Sequence, residues 1–520
     1  MSFRKIAVSM MLFFLVSFTC EASGKILFVP MDNRPVCLSY TVDTLKAAGW
    51  DIITPPEEFI ASRERMGEPD KLLEWLEKEA PSADAAVVSS DALIYGGLVA
   101  SRTHEIDEKV LARRLQRLVF LQDNALGLKL YVFSTIMRTP KASSGGVEPK
   151  YYETYGPDIF RWSALNDKEE MSSLKKKEKE EKTALEKKIP AEYLEDWLLR
   201  REKNLEINKQ LVYFTSNGKF NYFVLGKDDT APFSQSHKES RAIEAIVQEQ
   251  NPWNFRMFVG ADQLGLLLLT RAVNEMTHEI PFVRVHYAEG VGAKTVPSYE
   301  DKAVGTTVTA HIYASGSFPV RNAERVELDL YVNTPYSGIT KEASSPENIY
   351  QVSKTLEDFV EQIKIKADNE GKPAAVADVE FGNGASNAFA MQLMKKNLGK
   401  EIASYAGWNT ASNSIGYALG QGVLSKYMDK DDHMEMLIIR FTDDWVYQAN
   451  VRGALYSEIV WAQGINGTRL DGNKPMLEEE ALKRIKAFYK GHASDRILNR
   501  IQVDFPWNRM FEINIEFSKD

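Results

Sequence analysis

Two adjacent carboxylates, Asp228 and Asp229, follow the apolar run that ends in Lys227, and a third, Asp262, follows another such run. Paired carboxylates raise each other's proton affinity, so one can stay protonated while its neighbour is charged, as acid/base hydrolysis requires. A fourth, Asp32, opens the stretch Asp32-Asn33-Arg34-Pro35. These four are the candidate catalytic groups, with Asp378 and Glu380 in reserve. Arg34, Asp91, Arg102, Arg138, Lys227, Asn383, Asn409 and Thr410 are candidates for binding substrate, and Trp408 offers a face on which a sugar ring can stack. Each has a plainer reading. Asp262 is well placed as a helix N-cap, Asp228-Asp229 as an Asx turn, Trp408 as core, and Asn383-Gly384 and Ser412-Asn413 as turn and cap.

Other chemistries lack their residues. The chain has no Gly-x-Gly-x-x-Gly fingerprint, P-loop, Gly-x-Ser-x-Gly elbow or His-Glu-x-x-His, which lowers the weight of dinucleotide, nucleotide, serine-hydrolase and zinc-protease chemistry. The seven histidines stand singly, so no zinc site is expected and no cofactor is assigned. Carboxylate-held Mg²⁺ or Ca²⁺ stays open, which would need Asp32, Asp91, Asp228 and Asp262 to converge. Cys37 fits a small buried hydrophobe better than a nucleophile.

The elements that must position these groups alternate. Short β-rich runs at Lys25–Met31, Asp51–Thr54, Ala85–Ser89, Lys129–Ser134, Tyr222–Gly226, Arg256–Gly260 and Phe282–Tyr287 are separated by helical stretches, the pattern of βαβ units and a mostly parallel sheet. In such sheets ligands bind at the carboxyl ends of the strands, and nearly every candidate follows one. Residues 141–217 interrupt the rhythm with a charged tract and read as an insertion, a surface helical hairpin before a lid. Ser236 with Glu239 reads as a capping box. Thr306–Ala314 and Arg325–Val332 read as β-rich. A boundary is placed near residue 300, giving an N-terminal α/β domain over 24–300 and a C-terminal one over 301–520. Two lobes with mainly parallel sheets and an inter-lobe cleft are expected; the alternative is a βα-barrel with a C-terminal α/β domain.

Five segments, MDNRPV, SSDALIYGGLVASR, GKDDTAP, GADQLGLLLLTRA and YAGWNTASNSIG, occur in this order. They resemble the bacterial domain-of-unknown-function family 4127 over nearly the whole chain. The resemblance implies a common α/β architecture and leaves the reaction open. Asn33 and Gln263 depart from it, standing where Asp and Glu are frequent, which puts activity in question if either carboxylate is catalytic in relatives.

Arg4 and Lys5, the apolar run Ile6–Phe18 and the small residues Ala22, Ser23 and Gly24 read as a signal peptide over 1–23, too short to span a bilayer. An extracytoplasmic location follows, periplasmic or secreted, with lipidation at Cys20 a weaker option. At 520 residues, 44% hydrophobic and 26% charged, the chain is globular in composition. A net charge of −9 without a basic stripe argues against nucleic acid as partner. The expected function is hydrolysis of a sugar-like substrate by paired carboxylates. The alternatives are a non-catalytic sugar or sugar-acid binding protein and a metal-assisted phosphate or amide hydrolase. Oligomeric state is left open.

Overall fold

The computed structural model describes residues 24–141, 146–321, 324–369, 373–490 and 495–518; the expected signal segment and Cys20 lie outside them. Strands β1 (Lys25–Val29), β2 (Asp51–Ile53), β3 (Ala85–Ser89), β4 (Lys129–Ile136), β5 (Tyr222–Lys227) and β6 (Phe255–Val259) form a six-stranded sheet. Their order is β2-β1-β3-β4-β5-β6 and every pair is parallel. Strands β7 (Phe282–Tyr287), β8 (Phe318–Val320), β9 (Leu328–Asn333), β10 (Ala374–Asp378) and β11 (Ser404–Ala406) form a second parallel sheet, ordered β11-β10-β9-β7-β8. Counted along its own segment, each sheet has the doubly wound order 2-1-3-4-5, with one strand more in the first. The fold is therefore α/β with two mainly parallel sheets, and among the described residues no barrel closes. Strands β12 (Ile501–Asp504) and β13 (Asn514–Phe517) add an antiparallel pair at the C-terminus.

Two expectations are corrected. The change of sheet falls between Val259 and Phe282, earlier than residue 300, because β7 pairs with β8 and β9. The β-rich reading of Thr306–Ala314 fails as well, since Val304–Ala314 is a helix. Val304, Val308 and Ile312, spaced four apart, are all fully buried, and this helical period overrides the β preference of its Val and Thr residues.

The two sheets are joined by helices rather than by a linker. Leu264–Met276 lies against β3 and β4, and Ala411–Leu424 lies between that helix and β10 and β11. All fourteen residues of Ala411–Leu424 are buried. Its glycines make the fit: a Cβ on Gly416 would stand 2.3 Å from Gln263, on Gly420 2.8 Å from Leu266, and on Gly422 2.8 Å from Ala375. One apolar core consequently runs from Phe28 and Phe133 in the first sheet to Val376 and Tyr405 in the second.

The insertion holds three helices, Tyr152–Met171, Lys176–Lys188 and Ala191–Ser216, and is more firmly seated than a surface hairpin. Its Arg201 is 1% exposed and donates to both oxygens of Glu239 and to the carbonyls of Met137 and Arg138. Glu239 is thus spent on Arg201 and does not complete a capping box. Ser234, not Ser236, caps the following helix by accepting from the His237 amide.

Glu300 ties the segment before Val304–Ala314 to the start of Ala411–Leu424, its Oε1 accepting from the backbone amide and hydroxyl of Ser412 at 2.7 Å. Burial pushes this carboxyl up to about 7, against the pull of Ser412. The unfolded chain releases such protons near pH 4. Between about pH 4 and 7 the native protein therefore holds a proton that the unfolded chain has lost, and stability falls as pH rises through that window. Glu300→Gln keeps the Oε1 contacts without the charge. Chemical denaturation should show the variant more stable than the parent by on the order of 1–3 kcal/mol at pH 8, with the gain shrinking towards pH 5. A gain independent of pH would contradict the burial account.

Candidate functional site

The loops at the carboxyl ends of both sheets meet around a cavity of about 330 Å³. Arg34 comes from the loop after β1, Arg102 from a helix beyond β3, and Arg138 from the loop after β4. Asp228 and Asp229 follow β5, and Asp262 follows β6. From the second sheet, Asn383 lies beyond β10, and Asn409 and Thr410 follow β11. Nine of the sequence candidates thus line one space.

Two charge networks hold the walls. In the first, the Arg34 guanidinium donates to both oxygens of Asp32 at 2.9 Å and, through Nη2, to Asp262 Oδ1 at 2.7 Å. The other Asp262 oxygen accepts from Asn409 Nδ2 at 3.0 Å, so the two sheets are linked across the cavity wall. Asp262 therefore serves as an ion-pair partner and makes no N-cap; the helix Leu264–Met276 has no side-chain cap. Burial raises the Asp262 carboxyl above its ordinary range, while Arg34 pulls it down. In the second network Arg102 Nη2 donates to Asp228 Oδ2 at 2.5 Å, and Arg138 joins Glu148 to Asp229, the last at 3.1 Å. Asp229 stands at φ +27°, in the left-handed region, with 28% of its side chain exposed. Burial and the charge of Asp228 lift its carboxyl above the usual range, against Arg138 and Arg102.

Two residues of the lining carry an unpaired polar atom. Thr410 Oγ1 and Asn413 Oδ1 are buried and have no hydrogen-bond partner among the described residues. The positive φ of Asn409, +65°, is one that Asn tolerates, and it turns the loop so that Asn409 and Thr410 both face inward. Asp444 braces this loop from behind, accepting from the Gly407 amide at 2.7 Å while paired with Arg440.

Four sequence candidates stand elsewhere. Asp32 is 1% exposed and lies behind Arg34. Asp91 is buried away from the cavity, its carboxyl pushed to about 7 by burial. Lys227 reaches no substrate position because its ammonium donates to both oxygens of buried Asp301 at 2.6 Å. Trp408 packs in the core against Phe511, with ring centroids 5.7 Å apart, and forms no platform. The reserves Asp378 and Glu380 sit apart from this cavity, joined by Asn333 at the end of the second sheet. The four carboxylates of the metal alternative do not converge. Asp32 and Asp262 share Arg34, Asp228 is held by Arg102, and Asp91 lies near Asp228 and Arg102 but off the cavity lining; among the described residues no group of three or more His, Cys, Asp and Glu side chains could hold a metal ion. Cys37 is buried, and burial pushes its thiol well up, consistent with a core role.

Sequence reasoning missed Glu148, which the insertion supplies, and the aromatic wall of Tyr299, Tyr456, Trp507 and Phe511. Trp507 lies under the guanidinia of Arg34 and Arg509, at 5.3 and 5.0 Å from the ring centroid. A signal was present: Pro506-Trp507-Asn508-Arg509 follows a β-rich run, like the other strand-end clusters. Asn33 and Gln263, where the resemblance leads one to expect Asp and Glu, lie off the cavity. Asn33 Oδ1 accepts from the Trp507 indole at 2.8 Å, and Gln263 Nε2 donates to the Val259 carbonyl at 3.1 Å.

Among the described residues no helix is long and apolar enough to cross a membrane. Neither a curated protein nor a solved structure matches the chain. The family model described as "Protein of unknown function (DUF4127)" matches residues 26–516. Sharing that model over nearly its whole length, the chain belongs to the DUF4127 family.

Proposed function

We propose that the protein is a hydrolase of a sugar-like substrate, acting outside the cytoplasm as its leader-like first residues suggest. The observation that carries this reading is the meeting of Asp228, Asp229 and Asp262 at one cavity with aromatic walls, since two carboxyl groups flanking a glycosidic bond suffice for its cleavage. Asp229 is the general acid, because its raised proton affinity keeps it protonated at higher pH than an ordinary carboxyl. Asp262, oriented by Arg34 and Asn409, takes the proton of the attacking water. The water oxygen bonds to the anomeric carbon, the glycosidic C–O bond breaks, and the Asp229 proton passes to the departing oxygen. Asn413 and Thr410 supply hydrogen bonds to ring hydroxyls, and Tyr299 and Tyr456 supply apolar faces.

A small-molecule binding protein is the second reading. It is favoured by the pairing of Asp228 and Asp262 with guanidinia, which suits orientation as well as catalysis.

Incubation with a panel of oligosaccharides, read by mass spectrometry, should show products carrying one added water. Asp229→Asn and Asp262→Asn should each lower kcat by about 10²–10⁴-fold; Asp229→Asn should do so with little change in fold, whereas Asp262→Asn also removes a partner of buried Arg34 and should lower stability. Ligand-induced thermal stabilisation without products would select the binding protein instead.

The pH profile gives a second check. Turnover should fall as rising pH removes the Asp229 proton, on a limb above the ordinary carboxylate range. Asp228→Asn removes the neighbouring negative charge and so lowers the proton affinity of Asp229. The alkaline limb of kcat/KM should move to lower pH in that variant; an unmoved limb would exclude Asp229 as the acid.

A further inference from the structure

The cavity does not end at its own walls. A depression of about 690 Å³ shares Arg138, Asp229 and Tyr299 with it and continues past Phe160, Ile339 and Thr340. Another, of about 770 Å³, shares Tyr456 and Phe511 and continues past Tyr350, Arg452 and Trp461. The two adjoin the cavity through different residues, one through Arg138, Asp229 and Tyr299 and the other through Tyr456 and Phe511.

Each flank carries the same pair of features. Large apolar side chains stand open to solvent along it: Ile339 and Tyr299 are 65% and 43% exposed on one side, and Trp461 and Tyr350 are 71% and 44% exposed on the other. Each flank is also lined by hydroxyl and amide side chains, Ser298 and Thr340 on the first and Asn450 and Ser457 on the second. Exposed apolar side chains beside hydroxyls and amides match a ligand whose faces are apolar and whose edges carry hydroxyls. A chain of sugar units has that character throughout. Single-stranded nucleic acid also stacks on rings, but it needs a positively charged groove along its backbone, and the four arginines of the central cavity, Arg34, Arg102, Arg138 and Arg509, are each paired with a carboxylate.

We propose that the three adjoining spaces act as one groove that takes an oligosaccharide chain across its whole length, with units bound on both sides of the carboxylates, so that the chain is cut internally. The cutting rests on the hydrolase reading above; the chain-binding surface does not.

The test uses the full chain and size series of β-1,4- and α-1,4-linked oligosaccharides, neutral and uronate, from about two to about eight units. For the series that is cleaved, kcat/KM should rise at least about tenfold with length before levelling off, and internal fragments should appear from the earliest times. Trp461→Ala and Phe160→Ala, at opposite flanks, should each reduce kcat/KM several-fold more on long chains than on dimers, which a general folding defect would not do. Equal rates at all lengths with release of single terminal units would overturn the groove and leave the hydrolase standing. Affinity that rises with length, measured by calorimetry without any turnover, would keep the groove and remove the hydrolase. Absence of both binding and cleavage across every series would overturn both.

Discussion

The site depends on one buried guanidinium. Arg34 engages Asp32 within its own loop and Asp262 from the end of β6, and it lies against the ring of Trp507 from the C-terminal segment. Asp262 in turn holds Asn409 from the second sheet. Isolated, any of these charges would be costly to bury; together they compensate one another, and loss of one partner would leave the rest uncompensated at a cost of about 3–5 kcal/mol. A planar fork with several donors can serve two carboxylates at once, which a lysine ammonium does with less geometric control. The position of four chain segments is thereby written into one side chain.

The second network repeats this logic with different material. Asp228, Arg102, Glu148, Arg138 and Asp229 are linked through contacts between opposite charges. Acidic and basic groups nearly balance around the cavity, which makes it strongly polar without a large net charge. Such a lining favours ligands that present many hydroxyls over ligands that present a single charge. Glu148 belongs to the insertion, and Arg201 clamps that insertion onto the Arg138 loop. The added helices therefore help shape the wall.

Much of the fold was legible because it follows from local pattern. Short apolar runs alternating with amphipathic stretches located the six strands of the first sheet and β7 and β9 of the second, while the three-residue β8 went unread; the rule that ligands gather at strand ends brought nine candidates to the cavity. The failures have physical causes. Thr306–Ala314 looked like a strand by composition, yet its buried side chains recur every fourth residue, and burial on one helical face decided the outcome. Lys227 and Trp408 were the right residue types at the right loops, but Asp301 and Phe511, distant in sequence, claimed them. Pairing between remote segments leaves no local trace. For the same reason Trp507 and Glu148 escaped notice, and the earlier change of sheet was visible only in strand pairing.

The last strand of the chain is fastened to the first helix. Tyr40, in Ser39–Ala47, donates its hydroxyl to the Ile513 carbonyl at 3.0 Å and accepts from the Ile515 amide at 2.9 Å. The helix so held begins five residues after Arg34. A chain emerging from its N-terminus would thus have the first sheet's strands in hand long before the partners that set its ligand-facing loop. The pocket wall cannot assemble piecemeal: Arg34 gains its Trp507 neighbour only once the segment that carries Ile513 and Ile515 has docked on Tyr40.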